Sequence, residues 1–197
     1  MEMTGEQLIR AAQADTWAAL NDPETLKACV PGCESIERTS DTEYAVQMTA
    51  RVGPVSAKYK GKMTLSSLNP PHSYTIAFEG QGGVAGFARG SADVSLTPEA
   101  RDTRLAYKVK ANVGGKLAQI GSRLVDAAAN KVANDFFTAF NEKMSLALGG
   151  HGAARRDEHH PEPVPRDPDL PQVSEASLSF FAGGALVVFV VALITLL

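Results

Sequence analysis

Lys116 to Leu148 reads KLAQIGSRLVDAAANKVANDFFTAFNEKMSLAL. The stretch has no proline, and the pairs Gly114-Gly115 and Gly149-Gly150 bracket it, the punctuation expected at helix boundaries. Leu117, Ile120, Leu124, Ala128, Val132, Phe136, Phe140 and Met144 recur at steps of three or four, which predicts one apolar stripe along a helix. Arg123, Asp126, Asn130, Lys131, Asn134, Asp135 and Lys143 fall on the opposite side. Lys131 and Asp135, four apart, suit an ordinary surface ion pair. A helix of this length spans about 50 Å and gains most of its stability by burying its stripe against something else. The stripe is uneven. Phe136, Phe137, Phe140 and Met144 make its later half bulky, whereas Ala118, Gly121, Ser122, Ala127, Ala128 and Ala129 thin its earlier half. Interiors pack to crystal density, so the small half means either close approach of another element or space left open.

Upstream, from Glu34 to Val113, the apolar period changes to two. Tyr44, Val46, Met48, Ala50 and Val52 alternate with polar residues, as do Ala57, Tyr59, Gly61, Met63 and Leu65. Tyr74, Ile76 and Phe78 follow, then Ala88 to Leu96 and Leu105 to Val113. Strands with one oily and one wet face, joined by short turns, predict an antiparallel meander. The turns fall at Val52-Gly53-Pro54, Asn69-Pro70-Pro71 and Thr97-Pro98-Glu99. Ahead of the meander, residues 2–10 suit a first strand. Asp15 is placed to cap a short helix through Trp17, and Asp22-Pro23-Glu24 opens another, with Pro23 at its first position. The predicted class is α+β: about seven antiparallel strands in a curved sheet wrapped around the final helix, the only element long enough to cover it. Small residues on the inner sheet face (Ala50, Ala57, Gly61, Gly90, Ala92, Ala111) match the thinned half of the helix and favour an internal cavity.

Downstream, periodicity stops. Residues 149–177 carry five prolines, three arginines and six acids, the composition of a disordered tether. Residues 178–197, LSFFAGGALVVFVVALITLL, hold 20 positions without a charge; as a helix they would match the hydrocarbon thickness of a bilayer. The organisation expected is a globular domain over 1–148, a linker over 149–177 and a membrane span over 178–197. The start lacks a basic region followed by an apolar core, so no cleaved signal is visible. A span at the end of the chain then leaves the domain on the cytoplasmic side of the membrane. Residues 1–148 hold 16 basic and 16 acidic residues and no dense basic stripe, which argues against nucleic acid as partner.

Catalytic and metal chemistry finds little support in the residues. Cys29 and Cys33 sit four apart, but a zinc site needs two more ligands and the domain's only histidine is His72. Two free thiols result. No nucleophile, base and orienting group fall into a recognisable set. Gly80 to Gly90 is rich in glycine but joins two strands, whereas phosphate-cradling loops open a helix. It suits a hairpin at a cavity mouth with Val84 and Phe87 as a gate, or simply a long turn. Lys58, Lys60 and Lys62, with Lys108 and Lys110, form a wet sheet face open to anionic headgroups or an acidic protein. The candidate lining of an apolar pocket is Tyr44, Met48, Tyr59, Met63, Phe78 and Tyr107 from the strands. Val84 and Phe87 come from the loop, and Leu117, Ile120, Leu124, Ala128 and Phe136 from the helix. Tyrosine hydroxyls would be its sparse polar groups.

Asn21-Asp22-Pro23-Glu24-Thr25-Leu26, running into Cys29-Val30-Pro31-Gly32-Cys33-Glu34, resembles the start of the carbon monoxide dehydrogenase G-subunit family. So do Gly80 to Gly90, and Leu117-Ala118-Gln119-Ile120-Gly121-Ser122-Arg123-Leu124 leading to Phe136-Phe137. The likeness covers about residues 1–147 and extends to the tether and apolar tail. It implies the START-like helix-grip fold, a seven-stranded sheet gripping a long helix around an apolar cavity. It also implies a non-catalytic accessory protein of the cytoplasmic membrane. Such a protein binds a respiratory quinone or another lipophilic molecule, without a covalent cofactor. It attaches a molybdenum hydroxylase such as carbon monoxide dehydrogenase to the membrane. Cyclases and aromatase-like enzymes share the superfamily, but no residue pattern here carries their chemistry over.

Overall fold

The structure, a computed structural model, describes residues 1–152. The predicted linker, apart from its first four residues, and the predicted span lie outside the described residues. Strand β1 (Glu2–Ile9) leads into helices α1 (Gln13–Ala19) and α2 (Pro23–Cys29). Six strands follow: β2 (Cys33–Arg38), β3 (Glu43–Val52), β4 (Val55–Asn69), β5 (Ser73–Gln81), β6 (Phe87–Glu99) and β7 (Asp102–Gly114). A short 3-10 turn, Gly83–Ala85, lies between β5 and β6, and helices α3 (Lys116–Gln119) and α4 (Ser122–Gly152) complete the order. The seven strands form one antiparallel sheet in the order β1-β7-β6-β5-β4-β3-β2. The meander predicted from alternation is therefore present, with β1 closing onto β7.

Local chemistry explains the small helices. Asp22 caps α2 by accepting the Thr25 amide hydrogen at 2.9 Å, and Pro23 takes the first turn, where its missing N–H costs nothing. Burial works to raise the Asp22 carboxyl pKa; the hydrogen bonds from Thr25 and Glu24 and the charge of Lys143 outweigh it and leave the group below its usual value. Asp15 does not cap α1. Ala12 holds that position without a side-chain bond, and Asp15 sits inside the first turn, where a negative charge still favours the positive end of the helix. Buried Thr103 fastens α1 to the sheet by donating to the Ala11 carbonyl at 2.8 Å.

The turn predicted at Thr97-Pro98-Glu99 lies instead at Ala100-Arg101, and Pro98 is paired within β6 opposite Thr103. By then β6 has outrun β5, whose pairing stops opposite Ser95, so the proline sits where the sheet has only one neighbouring strand. The single helix predicted from Lys116 is also two. Gly121 adopts φ +91°, a left-handed conformation that only glycine takes without strain, and it separates α3 from α4. No heavy atom lies near a Cβ added there, so Gly121→Ala tests conformation alone. It should lower unfolding stability by about 1–2 kcal/mol in a denaturant titration. At the other end α4 passes through Gly149 and Gly150, where the sequence predicts a stop, and reaches Gly152. A glycine weakens a helix by about 1 kcal/mol but does not forbid it.

The apolar face of α4 is Val125, Ala129, Val132, Ala133, Phe136, Phe137, Phe140 and Met144. From Val132 onward this matches the predicted stripe. Before it, the predicted residues drift off. Successive steps of four each overshoot a turn by about 40°, so Leu124 stands roughly 120° from Phe136 and Ala128 roughly 80°. Leu124 is accordingly 53% exposed, Ala128 is half-buried, and Val125 and Ala129 take their places. On the polar face the predicted Lys131–Asp135 pair forms at 2.6 Å. Asn141 ties the far end of α4 to β1, donating to the Leu8 carbonyl at 3.2 Å and accepting from the Arg10 amide at 3.1 Å. Helix α4 thus runs from the end of the sheet that holds the β5–β6 loop, here called the upper end, toward the end that holds α1. Among the described residues no helix is long and apolar enough to cross a membrane.

Candidate ligand-binding region

The interior between sheet and α4 divides into two parts. Its lower part is an aromatic cluster. Phe136 stands 5.1 Å from Phe137 and 5.5 Å from Phe140, Tyr107 stacks on Phe137 at 5.8 Å, and Trp17 meets Tyr74 edge-on at 5.2 Å. Side chains in such contact fill their space and hold the helix to the sheet. Phe136 and Tyr107, predicted to line a pocket, belong to this cluster, and a Cβ added at Gly5 would overlap the Tyr107 hydroxyl.

The upper part is built differently. Strand register aligns Val46, Gly61, Gly80, Ala88 and Val113 in one row across β3 to β7. Gly61, Gly80 and Ala88 leave the middle of this row, between Val46 and Val113, almost without side-chain volume. Below it runs Tyr44, Met63, Phe78, Gly90 and Ala111, with the Phe78 ring lying where a Cβ on Gly90 would go. Above it Met48 pairs with Tyr59. The sheet thus brings together five of the predicted lining residues, Tyr44, Met48, Tyr59, Met63 and Phe78, all buried. The upper face of α4 adds Val125 and Ala129, both small and both buried.

The Gly83–Ala85 turn lies across this end. Gly82 leans on the Tyr59 ring so closely that a Cβ there would overlap it, and the backbones of Gly86 and Gly115 touch, joining the turn to α3. Leu117 is buried beneath and Ile120 is half-buried. Val84 and Phe87 do not line the interior. Val84 is 85% exposed at the tip, and Phe87 lies over Gly114 on the outer face, because inward-pointing Ala88 and Gly90 set the parity of β6. A hollow of about 240 Å³ lies on the outer sheet face, where Gln47, Lys60 and Gln81 form one exposed row beside Glu34 and Lys58. Glu34 accepts from Thr49 at 2.8 Å and from Lys58 at 3.1 Å, which together hold its carboxyl below the usual range. A second hollow, about 800 Å³, lies on the same outer sheet face among Lys62, Glu79, Arg89 and Lys110.

Burial raises the pKa of the Tyr59 and Tyr107 hydroxyls, and of Tyr44 against the opposing charge of Arg38. It raises the Cys29 thiol against Lys143, and the Cys33 thiol to about 11. Both cysteines are free thiols held protonated. Each of these acids keeps its proton more firmly folded than unfolded. Their contribution to stability should therefore be level below the ordinary thiol value of 9.0 and fall as pH rises toward 11. Thermal unfolding across that range checks this, and Cys33→Ser should make the fall shallower while Cys29 keeps its share.

A seven-stranded antiparallel sheet closed on a long C-terminal helix defines the helix-grip class of START-like proteins. Within that class the chain belongs to the carbon monoxide dehydrogenase G-subunit (CoxG) family, whose profile residues 5–145 match. No curated protein matches the sequence. Among solved structures, a conserved protein of Geobacillus kaustophilus is 28% identical with a TM-score of 0.71, and the match covers 75% of this chain and 97% of that one. An aromatase/cyclase from a Streptomyces strain shares the fold at 12% identity and a TM-score of 0.59, covering 77% and 98%. A Thermus thermophilus protein does so at 16% and 0.57, covering 75% and 99%. Three quarters of this chain therefore accounts for nearly all of each neighbour, so the fold stands without a counterpart of residues 153–197.

Sequence reasoning misses Val125 and Ala133 on the helix, both recoverable from a strict 3.6 period, whereas Ala129 and Phe137 are read into the stripe but not into the pocket lining. It also misses the empty row. Gly61 is visible as a small inner residue, but its alignment with Gly80 and Ala88 follows from strand pairing alone.

Proposed function

We propose that this protein is a non-catalytic carrier that takes an apolar ring compound, a respiratory quinone, into the upper part of the domain. The observation that carries the reading is the row Val46, Gly61, Gly80, Ala88 and Val113, in a core otherwise crowded with aromatic side chains. The glycine-flanked 83–85 turn, which lies against the Tyr59 ring, is the cover that moves. Tyr59, protonated throughout the neutral range, offers its hydroxyl to a quinone carbonyl. Residues 178–197 anchor the protein to the cytoplasmic membrane with the domain on the cytoplasmic side. The domain presents its ligand to a membrane-recruited molybdenum hydroxylase such as carbon monoxide dehydrogenase. Confinement near the bilayer raises the effective concentration of both ligand and partner.

The test is native mass spectrometry of the full chain after gentle detergent extraction, followed by titration with ubiquinone and menaquinone. A bound quinone, stoichiometric after titration, is expected. No adduct in either step would leave the second reading, a membrane adaptor that uses only its outer surface. The outer hollow among Lys62, Arg89 and Lys110 favours that reading.

A further inference from the structure

The carrier role does not by itself account for the surface at the upper end. Val84, Phe87 and Leu124 are 85%, 43% and 53% exposed; among the described residues the other large apolar side chains so exposed are Leu8 and Leu146, at the opposite end. Backbone contacts gather the first three. Phe87 pairs with Gly114, Gly86 abuts Gly115, α3 packs on the 83–85 turn, and only Ile120 and Gly121 separate α3 from α4. Cations outnumber acids around them: Glu79 pairs with Arg89 across the sheet and Asp126 follows Leu124 by two residues. Residues 80–91 and 112–125 contain Arg89, Lys116 and Arg123 and no acid, in a domain otherwise balanced between the two signs. The Arg89 guanidinium lies 5.9 Å over the Phe87 ring, holding a cation directly against the apolar surface.

We propose that this end is a bilayer-docking surface, resting on the carrier reading above. Val84, Phe87 and Leu124 enter the interface of an anionic membrane, while Arg89, Lys116 and Arg123 meet lipid phosphates. Exposed aliphatic and aromatic tips ringed by cations suit the boundary between acyl chains and anionic headgroups. Docking this way sets the glycine-built cover against the lipid, so an apolar ligand passes between bilayer and protein without crossing water.

The length of chain beyond the domain permits the orientation. Helix α4 is 31 residues, about 46 Å long, and leaves at the opposite end, where Asn141 binds β1. Residues 153–177 reach at most about 85 Å when fully extended, before the uncharged run 178–197 begins. A chain held at that run can therefore turn its far end to the same membrane.

The experiment places a reporter at the tip of the full chain. Val84→Trp, at an exposed position, is mixed with phosphatidylglycerol–phosphatidylcholine vesicles whose acyl chains carry bromine, and the buried native Trp17 gives the baseline. The introduced indole should shift to the blue and lose at least half its emission, whereas Lys108→Trp on the outer sheet face should not change. Combined Arg89→Ser, Lys116→Ser and Arg123→Ser should weaken the quenching at least ten-fold in lipid concentration. Equal emission with brominated and plain lipids would overturn the proposal, as would quenching that appears only when a partner protein is added. Quinone binding measured in detergent separates the two readings. Insertion without quinone binding sinks the carrier and upholds this surface; quinone binding without insertion does the reverse.

Discussion

Phe136→Ala should cost about 3–5 kcal/mol of unfolding stability, enough to leave much of the protein unfolded at physiological temperature. Phe136 is fully buried at the centre of the lower cluster, in contact with Phe137 and Phe140 and so coupled to the ring stacked on Phe137. Truncation removes the hydrophobic transfer energy of the ring and also leaves a cavity. That cavity cannot collapse easily, because Asn141 and the contact between α2 and α4 fix the helix on both sides. Phe136→Leu should cost far less, since most of the volume is kept. The readout is a chemical denaturation midpoint for the full chain in detergent. A loss below about 1 kcal/mol for Phe136→Ala would mean that the aromatic cluster is loosely packed, and that the lower part has room of its own.

The division between a tight lower and a thin upper interior is partly legible in the sequence. Features set by near neighbours in the chain read correctly: Asp22-Pro23 as a helix start, the two-residue alternation of the strands, and the Lys131–Asp135 pair. These depend on local chemistry and on periods of 2.0 and 3.6. Three others do not. Pro98 resembles a turn residue, and only the early end of β5 makes it acceptable within β6. The break at Gly121 lies between two stretches that share an apolar pattern, so no change of period marks it. Leu124 falls inside only when equal steps of four are followed for too many turns. The candidate site suffers most. Its helix side shifts by one residue, from Leu124 and Ala128 to Val125 and Ala129. Its emptiest level is a property of the register of five strands, and a single sequence does not carry register.

That level also supplies the sharpest functional consequence. Ala88 is buried between Gly80 and Val113 in the row with the least side-chain volume. If a ligand occupies the space above that row, Ala88→Leu places three extra carbon atoms where the ligand ring would lie. The expected result is a loss of quinone affinity of more than ten-fold, with folding stability held within about 1 kcal/mol, because a side chain that fills room left open adds burial without forcing its neighbours aside. Affinity is measured by titration in detergent, and stability by denaturation of the same sample. The opposite pair of results is as informative. Overpacking a region already closed by tight helix–sheet contact costs about 1–3 kcal/mol, and such a cost with affinity unchanged would move the ligand elsewhere. Val113 is the control from the same row. It is half-buried and already bulky, so Val113→Ile should alter neither quantity appreciably. The contrast between two neighbours in one row distinguishes a steric block at a binding site from general disturbance of the sheet, which either substitution could cause alone.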